Sequence, residues 1–180
     1  MGSRVGTKRN DKRWRAGDGE IWASEFEYRV FQGLQRALGP ERVYRCEPGE
    51  GDSFRYHTPT KEGLCVECGS GDTVQRRIYT PDLYVVSAEG TRAKCYIETK
   101  GHFPADKRSL LSHFSKTGEG IDLVVILQRD SRATKKRSLS EWIKSYCGYT
   151  SFVYNPCKKP TKKDPDPTKV PDDLVAYLLQ

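Results

Sequence analysis

No run of about 18 apolar residues occurs in the 180-residue chain, so the sequence contains no segment of the length and hydrophobicity that a membrane-spanning helix needs. The opening MGSRVGTKRNDKRWRAGDG is basic but has no apolar stretch behind it, which argues against a secretory leader. No internal repeat is present, so a solenoid of stacked units is not expected. These absences predict a soluble, cytoplasmic protein. In that compartment the six cysteines are read as thiols or metal ligands rather than disulfides. Histidine is scarce: His102, beside Lys100-Gly101, reads as a polar neighbour of a strand end, and His113 as a surface residue.

Charge is abundant. Thirty-one Lys and Arg against 24 Asp and Glu leave a formal net charge of +7, which favours a polyanionic partner without requiring one. The length suits one domain. Residues 1–17 read as a flexible basic arm in which Lys8, Arg9, Lys12, Arg13 and Arg15 surround Trp14 and are candidate phosphate contacts. Trp22, Phe26, Val30, Leu34 and Leu38 recur every fourth residue, which predicts an amphipathic helix starting near Asp18 and closed by Gly39-Pro40. Residues 44–77 read as an irregular, cysteine-containing insertion.

Further elements lie downstream. ADKRSLLSHF after Pro104 predicts a helix, IDLVVIL (121–127) a strand buried on both faces, and Ser138 to Glu141 a capping box that opens another helix. SFVY (151–154) suits a last strand, and 157–180 reads as a Pro/Lys-rich linker ending in a short helix at DDLVAYLL. The main domain is therefore expected over 18–156.

The chemistry concentrates in IYTPDLYVVSAEGTRAKCYIETKG (78–101). Alternation along a strand aims Glu98 and Lys100 from one face, with Ile97 and Thr99 turned the other way. A hairpin around Ala88-Glu89-Gly90 would fold Asp82 back beside Glu98. Two carboxylates and an ammonium then meet at one sheet edge, a set of hard oxygen donors suited to Mg²⁺ and to phosphodiester hydrolysis. The bland alternative is a solvent-facing Glu98–Lys100 ion pair and a turn at Pro81-Asp82.

Pro81-Asp82 with Glu98-Thr99-Lys100 resembles the PD-(D/E)xK nuclease signature. YTPDLYVV, YIETKG, ADKRSLLSHF and IDLVVIL, in that order, resemble the phage endonuclease I family of Holliday-junction resolvases over about residues 20–155. The resemblance implies an α/β fold with a restriction-endonuclease-like mixed β-sheet flanked by helices. It implies a Mg²⁺-dependent site, with Mn²⁺ as a substitute, in which Asp82, Glu98 and the Thr99 carbonyl bind metal and Lys100 assists the attacking water. The resemblance adds a further catalytic glutamate on the first helix that joins the Mg²⁺ site, and it matches Glu27, with Glu25 a near miss, although Ser24 to Glu27 also reads as a capping box.

The resemblance also implies a homodimer with exchanged N-terminal elements that nicks opposed strands of branched DNA in the host cytoplasm, and Lys107-Arg108 as further phosphate contacts. The cysteines depart from the family pattern. Cys65-Val-Glu-Cys68-Gly resembles a zinc knuckle, and with Cys46 and His57 it would hold one structural Zn²⁺ per chain. Cys95, Cys147, Cys157 or a partner's group remain alternatives to His57 as fourth ligand. Two other functions stay open: a restriction-like, nicking or homing endonuclease on duplex DNA, and a non-catalytic, zinc-stapled DNA-binding module.

Overall fold

The computed structural model describes residues 13–17, 19–49, 51–59, 74–86, 95–162 and 164–180. In chain order the elements are β1 (Trp14–Arg15), β2 (Ile21–Trp22), α1 (Glu25–Leu38), β3 (Val43–Arg45), β4 (Phe54–Pro59), β5 (Val74–Tyr79), β6 (Leu83–Val85), β7 (Cys95–Lys100), α2 (Ala105–Thr117), β8 (Leu123–Leu127), α3 (Leu139–Cys147), β9 (Thr150–Val153) and α4 (Asp172–Leu178). The central sheet has the order β3-β6-β7-β8-β9. β3 and β6 pair antiparallel, as do β6 and β7, whereas β7, β8 and β9 run parallel. This is a mixed α/β sheet with helices on both faces, as expected.

Sequence pattern explains the layering. β8 carries only Leu, Val and Ile, all buried, because a central parallel strand is covered on both sides. Val124 and Ile126 face a core with α1, α4, Leu83 and Ile97, while Leu123, Val125 and Leu127 face a second core with Tyr96, α2 and α3. Parallel neighbours need crossovers. α2 links β7 to β8, and α3, opened by the predicted Ser138–Glu141 capping box, links β8 to β9.

Three expectations change. α1 starts at Glu25, not near Asp18: Ser24 caps it by accepting from the Glu27 N–H, and Ile21–Trp22 instead pair with Trp14–Arg15. Part of the basic arm is therefore ordered as β1. Trp22 still belongs to the apolar stripe, because the turn between β2 and α1 lays it on the same core as Phe26, Val30 and Leu34.

Second, the described part of 44–77 contains regular strands. β3 is a sheet edge, and β4 and β5 form an antiparallel ribbon whose Phe54 and Tyr56 rings pack on Phe114 of α2. Third, α4 is no appendage: Val170, Leu174 and Leu178 are buried in the same core as Val30 and Leu34. Burying such aliphatic side chains contributes roughly 1.5–3 kcal/mol each.

Candidate active site

The site forms where β6 and β7 meet the start of α1. The antiparallel register places Leu83 opposite Ile97, so one step earlier Asp82 stands beside Glu98, and the Asp82 N–H donates to the Ile97 carbonyl at 3.0 Å. The predicted turn at 88–90 lies outside the described residues. Pro81 and Asp82 occupy a bend ahead of β6, which lets the Asp82 carboxylate reach past the strand end. Its Oδ2 accepts from the Thr99 N–H at 2.6 Å and the Thr99 hydroxyl at 2.8 Å. The Ile97 carbonyl turns toward β6, so the strand period turns the Thr99 carbonyl to the same side, toward Asp82.

Glu98 and Lys100 share a face of β7, as alternation requires, and form an ion pair with each other. The other Glu98 oxygen accepts from the Tyr79 hydroxyl at 2.6 Å. Glu98 is 5% exposed and Glu27 7%. Glu27 approaches from α1, on the opposite side of the sheet from α2, and its charge is felt by Lys100 and influenced by Asp82 and Glu98. Glu25, the near miss, stays in solvent paired with Arg29 at 2.7 Å.

The electrostatics record the crowding. Burial, and then the nearby Asp82 charge, push Glu98 up to about 7 against the opposing pull of Lys100 and the Tyr79 hydroxyl. Glu27 is likewise pushed up to about 7 by burial and Asp82, with Arg45 opposing. Burial alone would lower the Lys100 ammonium, but Glu98, Asp82 and Glu27 reverse that and hold it above its ordinary value. Burial and the Glu98 charge raise Tyr79 well above a free phenol, so at neutral pH it is a donor.

Among the described residues no three His, Cys, Asp or Glu side chains are arranged to hold a metal ion as they stand. Lys100 and Tyr79 engage the two Glu98 oxygens, and Thr99 engages one of Asp82. The donor set nevertheless fits Mg²⁺ or Mn²⁺: the carboxylates are hard oxygen donors, and burial together with the Asp82 charge raises the pKa of Glu27 and of Glu98, a cost that a cation would relieve. Asp82, Glu98 and the Thr99 carbonyl would hold the ion, with Glu27 alongside, once Lys100 leaves Glu98.

Three contributors escaped the sequence reading. Tyr79 sits in the quoted YTPD string, but its reach to Glu98 depends on β5 running into β6. Arg45, stacked 4.1 Å over the Trp22 ring, opposes the rise of Glu27. The Thr99 hydroxyl turns with the other face of β7 yet bonds Asp82, because Asp82 lies beyond the paired part of β6. Spacing alone signals none of these.

Other assignments fare differently. Arg108 is not a phosphate contact in this arrangement: its guanidinium donates to the Phe103 carbonyl at 2.9 Å and the Ala133 carbonyl at 3.0 Å and lies over Trp142. Lys107 is exposed. Arg13 is exposed, Arg15 donates to the Gly19 carbonyl at 3.4 Å, and Lys8, Arg9 and Lys12 lie outside the described residues.

Of the four candidate zinc ligands, the two described ones, Cys46 and His57, are not brought together. Cys46 is buried with Phe54, Tyr56 and Tyr96, whereas alternation along β4 turns His57 to the opposite, outer face of the ribbon. Cys65 and Cys68 lie outside the described residues. Of the alternative ligands, Cys147 is buried in the α2–α3 core, and Cys95 and Cys157 are half-buried against the α1 core. Cys95 therefore turns from the Glu98 face, as alternation predicts. His102 is exposed at the end of β7 and His113 half-buried on α2.

The chain matches no protein-family model, no curated protein and no solved structure. No helix of the described residues is long and apolar enough to cross a membrane.

Proposed function

We propose that the protein is a Mg²⁺-dependent endodeoxyribonuclease of the PD-(D/E)xK type, acting on four-way junctions and other branched DNA as a homodimer with exchanged N-terminal elements. The observation that carries this reading is the convergence of Glu27, Asp82, Glu98 and Lys100, drawn from three elements, at the carboxyl edge of β7. An incidental surface ion pair would not be buried beside two further carboxylates. Two-fold symmetry suits paired nicks on a roughly two-fold substrate, with the junction read by shape and backbone charge.

In DNA phosphodiester hydrolysis the oxygen of water bonds to phosphorus as the bond to the leaving deoxyribose oxygen breaks, and that oxygen takes up a proton from solvent to leave as a hydroxyl. Asp82, Glu98 and the Thr99 carbonyl would hold a Mg²⁺ ion, which would supply positive charge to the attacked phosphate and lower the pKa of the water. Lys100, freed from Glu98, presents its ammonium to the negative charge that develops on the phosphate. Glu27, on the α1 side of the site, is the carboxylate placed to take the proton that the water gives up. Tyr79 keeps Glu98 in one orientation while Lys100 moves.

The test is incubation with a four-way junction and with linear duplex of the same sequence, each in Mg²⁺ and in EDTA. The junction is cut in Mg²⁺ in preference to duplex; equal cutting of both overturns junction selectivity, and no cutting of either overturns the enzyme. Glu98→Gln and Lys100→Ala slow single-turnover cleavage by about 100-fold or more, in the range for lost electrostatic stabilisation, while junction affinity stays that of wild type.

A further inference from the structure

β8 runs parallel to β7 with Leu127 beside Lys100, so the chain beyond Leu127 leaves the sheet at the edge that carries the site. The Gln128 N–H donates to the Lys100 carbonyl at 3.1 Å. The next nine residues, RDSRATKKR (129–137), carry five cations and one anion. All but Ala133 are exposed.

This segment is a built hairpin rather than a loose loop. Arg132 and Ser138 form an antiparallel bridge, and the Ala133 N–H donates to the Arg137 carbonyl at 2.9 Å. The Thr134 hydroxyl accepts from the Lys136 and Arg137 N–H groups at 3.3 and 3.1 Å, which turns Lys135-Lys136 out at the tip. The single anion is engaged elsewhere: Asp130 accepts from the Ser140 N–H at 2.9 Å and its hydroxyl at 2.6 Å at the start of α3. Arg108 then ties the hairpin to the site, since one guanidinium bonds both Ala133 and Phe103, three residues after Lys100.

We infer that the 131–138 hairpin is the DNA-backbone clamp of this site, with Arg132, Lys135 and Lys136 contacting phosphates and Arg108 as the positioning residue that holds the clamp beside Lys100. The inference rests on the nuclease reading for its choice of DNA. Its physical basis is separate: clustered cations on an ordered turn lose little conformational freedom when a phosphate docks, and each phosphate neutralised releases condensed counterions.

Binding to a fluorescent four-way junction in EDTA, where nothing is cut, is measured across a salt series for wild type, Lys135→Ala/Lys136→Ala, Lys135→Arg/Lys136→Arg, and a control pair at other exposed lysines, Lys159→Ala/Lys162→Ala. The hairpin alanine pair weakens Kd at least tenfold and lowers the slope of log K against log salt by about 2, the arginine pair restores both, and the control changes neither. Wild-type Kd and slope in the hairpin alanine pair, or an equal loss in the control, overturn the inference. Cleavage in Mg²⁺ is read on the same proteins. Hairpin-dependent binding without cleavage sinks the nuclease reading and leaves the clamp standing; cleavage with hairpin-independent binding does the reverse.

Discussion

Glu27 and Glu98 approach β7 from opposite faces and each is pushed up to about 7, so the metal-free folded protein keeps protons that the unfolded chain releases near 4.5. Between those pH values the folded state binds more protons, and stability falls as pH rises through the window. Glu27→Gln removes one ionisation without removing the side chain. In EDTA its thermal midpoint equals that of wild type near pH 5 and exceeds it at pH 8, by on the order of 2 kcal/mol or about 4–8 °C. Equal midpoints at pH 8 would show that Glu27 ionises there without cost. Tyr79 carries the complementary prediction. Its hydroxyl lowers Glu98, so Tyr79→Phe moves the acid limb of the cleavage pH profile to higher pH, which a packing defect alone does not do. Legibility at this scale follows range: Glu98 and Lys100 are two apart in a strand and announce themselves, while Tyr79 and Arg45 enter through tertiary approach.

Among the elements, α1 shows how a side chain too small to attract notice sets a spacing. A Cβ on Gly33 would run into the Tyr154 hydroxyl, which donates to the Thr168 carbonyl at 2.8 Å. Glycine-to-alanine in a helix interior ordinarily stabilises by up to about 1 kcal/mol. Here Gly33→Ala destabilises, since it displaces Tyr154 from α1, and a raised chemical-denaturation midpoint would refute that close approach. Arg108→Ala is expected to cost about 2 kcal/mol through two lost carbonyl partners, whereas Lys107→Ala, on an exposed side chain, changes stability by under about 0.5 kcal/mol. Strong periodicity made α1, α2, β8 and the α3 cap readable from sequence, because each repeats its apolar signal within one element. The β4–β5 ribbon was not readable: its cross-strand partners are separated by the residues between 59 and 74, and its buried face is defined by distant partners, Phe114 of α2 and Tyr96 of β7.

At the level of the whole molecule, the sheet separates two cores, and the site lies where both end: Glu27 comes from the α1 side and Glu98 from the α2 side. The family resemblance implied a mixed sheet with flanking helices, and pattern reading supplied several of its elements. It missed that the C-terminal helix closes the α1 core, since DDLVAYLL is too short to say what it covers. Removal of residues 169–180 takes buried Val170, Leu174 and Leu178 out of the core that also holds Leu34 and Leu38. The shortened chain loses several kcal/mol and its cooperative melt, a result read by calorimetry; an unchanged melt would make α4 dispensable.

The pairing of α1 with α4 also has a consequence in time. These helices lie at opposite ends of the described chain and share one core, so their contact is among the most non-local in the fold, and such contacts form late. α1 holds Glu27 and packs against β2, β3 and β7, and residues 170–178 close the core on which it lies. A growing chain that already contains Asp82, Glu98 and Lys100 therefore still lacks the residues that close the core beneath the helix carrying Glu27.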